Sequence, residues 1–146
     1  RDRYRIDFTI TLPTLVAVHL SGAAKGTVSG FQGQNSVIRT MLSGASECTL
    51  DGAGINVQVD ISGASKLTAS GTTDNLYGTI SGASFLLAYG VAADEVDIAV
   101  SGSSKAYVAP VNSFFAEASG NSRIYYKGDP FTKHFETSGN AQIIKE

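Results

Sequence analysis

Cysteine occurs once in this chain of 146 residues, at position 48, so no internal disulfide is available and the redox compartment stays open. Charge is also scarce. Asp, Glu, Lys and Arg make up 16% of the residues, below the usual figure of about a quarter, and the formal net charge is −2. That balance argues against a nucleic-acid partner, because phosphate neutralisation needs clustered Lys and Arg. No apolar run approaches membrane-spanning length, so no membrane span is expected. No signal-peptide pattern is present, and the chain opens on Arg1 without Met, as a trimmed or processed chain would. Apolar content is ordinary at 42%, enough for a core, though a long and narrow one. The length fits one domain, or a fragment of a larger array.

What is abundant is glycine, with 16 residues, and its placement is periodic. Ser-Gly pairs begin at Ser21, Ser43, Ser62, Ser81, Ser101, Ser119 and Ser138, in steps of 22, 19, 19, 20, 18 and 19 residues. Three of them read Ser-Gly-Ala-Ser outright, and the others are close variants. A turn residue follows nine positions after six of these serines: Gly30, Gly52, Gly71, Gly90, Pro110 and Gly128. A period near 19 with such punctuation marks a stacked-coil solenoid with at least two corners per coil.

Parity supplies the register. With each Ser as zero, offsets −5, −3 and −1 hold Val16, Val18, Leu20; Ile38, Thr40, Leu42; Val57, Val59, Ile61; and Val96, Ile98, Val100. Offsets +5 and +7 hold Cys48, Leu50; Leu67, Ala69; Leu86, Ala88; Ala106, Val108; and Ile124, Tyr126. Odd offsets therefore face a core, with the period-two signature of strands. The same parity places the Gly at +1 inward, at a bend with no room for a side chain. The residue at +3 is always small and also inward (Ala24, Ser46, Ser65, Ser84, Ser104, Ser122, Ala141). An extended coil of this length has a contour of about 60 Å at roughly 3.3 Å per residue, which suits a rung of two or three strands. No stretch sustains a helical period, and β-branched residues dominate the apolar set. The expected fold is all-β: a single-stranded right-handed parallel β-helix of about seven coils of about 19 residues. The competing reading is an antiparallel barrel or sandwich with regular turns.

One domain is expected over residues 1–146, with a first strand or cap over 1–20 and the repeat coils over 21–146. Tyr4, Ile6, Phe8, Ile10 and Leu12 alternate before Pro13, as an incomplete first rung would. The charged start (Arg1, Arg3, Arg5) and the charged end (Lys145, Glu146) would discourage end-to-end stacking.

These corners, with Leu12-Pro13-Thr14-Leu15, the late Tyr126-Lys127-Gly128-Asp129-Pro130 and the closing Ser138-Gly139-Asn140-Ala141, resemble the bacterial auto-transporter adhesin family with a head GIN domain. The resemblance runs from about Leu12 onward. It implies a right-handed parallel β-helix in an exported protein, periplasmic, at the cell surface or extracellular. Family members commonly carry further N-terminal sequence, so this chain would be a C-terminal portion. The resemblance implies no catalytic residues and no cofactor.

Chemistry is sparse. His19 and His134 fall on outward offsets of distant coils, whereas a metal site needs three or four converging ligands. Cys48 is expected inward, as a small core hydrophobe. Gly52-Ala53-Gly54 lacks the third glycine and the helix of a phosphate loop. The serines have no nearby His partner for a triad. Outward carboxylates (Asp60, Glu95, Asp97, Glu117, Glu136) are the one catalytic option, with Glu117 and Glu136 one rung apart. A pectinase-like enzyme would use such acids, but with an Arg or Lys or further acids beside them; Lys105 and Lys133 are candidate neighbours. The stronger lead is apolar. The outward face at offsets +4, +6 and +8 is polar in the first three coils and then carries Phe85, Leu87, Tyr89, Tyr107 and Tyr125. Such a patch marks an interaction site, for self-association or for a protein or carbohydrate ligand. The expectation is a non-catalytic adhesive or structural module.

Overall fold

The computed structural model describes residues 17–29, 37–51 and 56–146. The expected cap over 1–20 therefore lies outside the described residues up to position 16, as do Gly30 and Gly52 of the second corner. Eleven strands and no helix make up the described part. They are β1 (Ala17–Leu20), β2 (Lys25–Val28), β3 (Val37–Leu42), β4 (Glu47–Asp51), β5 (Asn56–Ile61), β6 (Lys66–Ile80), β7 (Phe85–Val100), β8 (Lys105–Ala118), β9 (Arg123–Tyr126), β10 (Thr132–Thr137) and β11 (Gln142–Lys145). Every pairing is parallel, and each joins a strand to its counterpart one coil away. This is a parallel β-helix, with about six turns between its seven Ser-Gly corners.

Two ladders run the length of the stack. The one before the corner joins β1, β3, β5 and the second halves of β6, β7 and β8, and ends on β10. The one after the corner joins β2, β4 and the first halves of β6, β7 and β8, then β9 and β11. Their inner faces meet in one continuous core. Ile38, Leu42, Val57, Ile61, Leu67, Leu86, Val96, Ile98, Val108 and Ile124 are all buried, at the odd offsets read from the sequence. The core is aliphatic through the middle coils. It turns aromatic toward the last rungs, where the rings of Phe114, Tyr126 and Phe135 meet edge-on or tilted at 5.1–5.6 Å. Phe135 belongs to the last rung, and with no further described rung packed on it the side chain stays 37% exposed.

The corner departs from the expected geometry in one respect. The Gly at +1 does not point inward: Gly22, Gly44, Gly63, Gly82, Gly102, Gly120 and Gly139 are exposed. Each adopts a left-handed φ between 65° and 76°, which turns two residues outward before the chain re-enters the core at +3. The flanking odd positions keep their face because −1 and +3 are an even step of four positions apart. The need for glycine is therefore conformational, and it is steric toward the neighbouring corner. A Cβ on Gly63 would lie 2.4 Å from the Gly44 carbonyl oxygen. Corners stack through their own backbone, as in Ala45 N–H to Gly22 O (2.7 Å) and Ala64 N–H to Gly44 O (2.7 Å).

The small residues at +3 do more than fit a tight space. Ser46, Ser65, Ser84, Ser104 and Ser122 are fully buried, and their hydroxyls are all engaged. The Ser84 hydroxyl donates to Gly63 O at 3.2 Å and accepts from Ser65 N–H at 3.3 Å. The Ser104 hydroxyl donates to Gly82 O and accepts from Ser84 N–H, each at 3.2 Å. This serine ladder gives the Ser46, Ser65 and Ser84 N–H groups their acceptors and adds a second donor to the corner carbonyls of Gly44, Gly63 and Gly82.

Candidate functional site

The outer face after the corner carries the apolar cluster. In register, the +6 positions form one ladder: Thr27, Thr49, Thr68, Leu87, Tyr107, Tyr125 and Ile144. The +4 ladder beside it runs Lys25, Glu47, Lys66, Phe85, Lys105, Arg123 and Gln142. Threonines suit a solvated outer sheet, and a salt bridge from Lys25 to Glu47 (3.5 Å) spans the first two rungs. From β7 onward the surface changes. Phe85 is exposed, and Leu87, Tyr89, Tyr107 and Tyr125 are half-buried. Because Tyr107 and Tyr125 are direct rung partners, their rings stack at 5.0 Å, 9° from parallel. Tyr89 meets Tyr107 edge-on at 5.4 Å.

Tyr89 arrives there by a route that counting from Ser does not show. Offset +8 puts it beside Ala109, yet Ala109 pairs with Ala92. The coil from Ser81 has 20 residues and the next has 18, so the surplus is taken up in a register shift between Ala88 and Ala92. Tyr89 sits in that irregularity and is aimed across the face, as bulges commonly do. Its ring lies under Lys127, whose Nζ is 4.3 Å from the centroid. Its hydroxyl is enclosed and makes no hydrogen bond of standard geometry. Desolvation pushes the phenol from 10.0 up to about 12, and the nearby Glu146 carboxylate adds to the shift.

The outer face before the corner carries the carboxylates. Glu117 and Glu136 are rung partners, as the spacing requires, and they line a shallow groove of about 300 Å³. The His134 ring lies 3.2 Å from the Glu136 carboxylate. No Lys or Arg lines this groove. Lys105 belongs to the other ladder, between Phe85 and Arg123, and Lys133 takes the register of buried Phe114. Asp60 lies further along the same ladder and accepts the Thr79 hydroxyl at 3.2 Å. His19 and His134 are exposed near opposite ends of the stack, and among the described residues no three His, Cys, Asp or Glu side chains converge as metal ligands. Cys48 is a buried core residue whose thiol burial pushes up to about 11, far from a nucleophile. No helix among the described residues is long and apolar enough to cross a membrane.

A second groove on this face, of about 330 Å³, has no signature in the sequence. Asn56, Asn75, Tyr77, Glu95, Asp97 and Phe115 line it. Glu95 and Asp97 stood out only as outward acids. Phe115 sits at an even offset, so parity alone marks it as an outward aromatic. Nothing in the sequence brings Tyr77, Asp97 and Phe115 together until their rungs are placed in register.

The model of the family described as "Putative auto-transporter adhesin, head GIN domain" matches residues 1–130. No curated protein matches the chain.

Proposed function

The chain belongs to the auto-transporter adhesin, head GIN domain family, and we propose that it is a non-catalytic binding module of an exported or surface protein, acting through its tyrosine face. The observation that supports this reading is the change of the outer face at β7, from threonines to Phe85, Leu87, Tyr89, Tyr107 and Tyr125. Half-buried rings held against one another lose little side-chain entropy on contact, and they combine apolar area with polar tips. Lys127 and Glu146 supply charge beside the rings. A protein surface fits this composition, and a second copy of the chain is the partner proposed first.

The alternative, cleavage of an acidic polysaccharide at Glu117 and Glu136, would draw on an Arg, a Lys or further acids beside the pair, and none of these lines that groove. The test uses the triple variant Tyr89→Ser, Tyr107→Ser, Tyr125→Ser. Sedimentation velocity of the unaltered chain is expected to show concentration-dependent association. The variant is expected to keep its β-rich circular dichroism and sediment as a monomer. An unaltered chain that stays monomeric, or a variant that associates equally well, would overturn the reading.

A further inference from the structure

We propose that the groove lined by Asn56, Asn75, Tyr77, Glu95, Asp97 and Phe115 binds a neutral, extended oligosaccharide laid along the axis of the stack. This face is separate from the tyrosine face and does not depend on it. The register carries the argument. Tyr77 pairs with Asp97, and Asp97 with Phe115, so the two aromatic side chains flank one carboxylate and stand two rungs apart. Two inter-strand spacings amount to about 10 Å, close to the length of a disaccharide. In a two-fold β-1,4-linked glycan, alternate units present the same face, so two such units can stack on Tyr77 and Phe115 at once. The unit between them then lies against Asp97.

The neighbouring ladder supplies polar groups of the matching kind. Asn56, Asn75 and Glu95 are consecutive rung partners, two residues from the Tyr77 ladder and on the same face. Asn75 donates to the Asn56 carbonyl at 2.6 Å, which fixes both amides and leaves an Asn56 donor and an Asn75 acceptor for a ligand. Carboxylates and amides that converge on a groove bind vicinal hydroxyls by paired hydrogen bonds, while ring faces take the apolar side of each sugar. The charge excludes uronic-acid polymers. Glu95 and Asp97 are the charged groups lining the groove, and both are acidic. Phe115 fits this use in another way: it is a large apolar ring on an outer sheet, 36% exposed.

The test titrates the chain by calorimetry with hexasaccharides of β-1,4-linked glucose, xylose and N-acetylglucosamine, and with hexagalacturonate as the acidic control. At least one neutral hexasaccharide is expected to bind, with hexagalacturonate at least tenfold weaker. Phe115→Ala and Tyr77→Ala are each expected to weaken binding about tenfold, and Asp97→Asn several-fold. The triple tyrosine variant of the other face is expected to bind as the unaltered chain does. Because Phe115 is a surface residue, its variant should melt within a few degrees of the unaltered chain. Absence of binding to all three neutral sugars at millimolar concentration overturns the proposal. So does binding that is indifferent to both Phe115→Ala and Asp97→Asn, or a preference for hexagalacturonate. None of these outcomes bears on self-association, so the two proposals fail separately.

Discussion

Gly63 is held as glycine by two separate constraints. Its φ of 73° lies where L side chains are strained, and a Cβ there would meet the Gly44 carbonyl oxygen at 2.4 Å. Gly22 has the same conformation (φ 71°), but none of the described residues comes within 4 Å of the added carbon. The pair separates backbone strain from the clash. Gly22→Ala is expected to cost about 1–2 kcal/mol, the strain alone. Gly63→Ala carries the clash as well and is expected to lose at least about 2 kcal/mol more, since the obstructing atom is backbone and cannot rotate away. Urea denaturation of both variants measures the difference, and equal losses would show that the corners do not stack as closely as described.

At the scale of the element, the unit is the corner with its buried serine. A parallel rung that bends sharply takes some N–H and C=O groups out of the regular ladder. The +3 hydroxyl accepts one such N–H and donates to a corner carbonyl, both of the preceding coil: Ser84 receives the Ser65 N–H and donates to Gly63 O. Ser84→Ala removes both bonds at a site with no access to water. The expected loss is about 1–3 kcal/mol, the usual range for orphaning a buried polar group. The faster exchange should be confined to the amide of Ser65, which donates to that hydroxyl. Hydrogen exchange resolved by residue tests this, and unchanged protection at Ser65 would argue against the ladder. The second corner works differently. There the strand continues through Gly71, Gly90 and Pro110, and register shifts absorb differences in coil length.

For the molecule as a whole, alkaline pH probes the burial of two groups at once. Burial moves the Cys48 thiol from 9.0 up to about 11. Tyr89 moves from 10.0 up to about 12, first through desolvation and then through the Glu146 charge. Both are acids held neutral by the fold, so the unfolded chain releases these protons at lower pH. Stability from this source is intact below about pH 9 and declines as pH rises through the folded values near 11 and 12. Melting temperature is therefore expected to be flat from neutrality to pH 8. Above pH 9 it should fall. Cys48→Ala should flatten the decline between 9 and 11, and Tyr89→Phe the part between 10 and 12. An identical slope in Cys48→Ala would show that the thiol titrates freely.

Period, strand character and the division into core and surface can all be read from the order of residues alone. Every coil asks the same of its residues, so a demand made once is repeated at Leu42, Ile61, Ile80 and Val100 and becomes visible as a pattern. The register of the ladders on both sides of the corner followed from that repetition, including the adjacency of Tyr107 and Tyr125 after it and of Glu117 and Glu136 before it. What repetition cannot convey is the direction of a side chain at a special φ, hence the outward corner glycines. Nor can it convey where unequal coils of 20 and 18 residues slip past one another, which is what turns Tyr89 onto Tyr107 and under Lys127. The groove of Asn56, Asn75, Tyr77, Glu95, Asp97 and Phe115 belongs to the same class. Its residues lie 18 to 20 positions apart from rung to rung, and they become one surface only when inter-rung hydrogen bonds set the coils side by side.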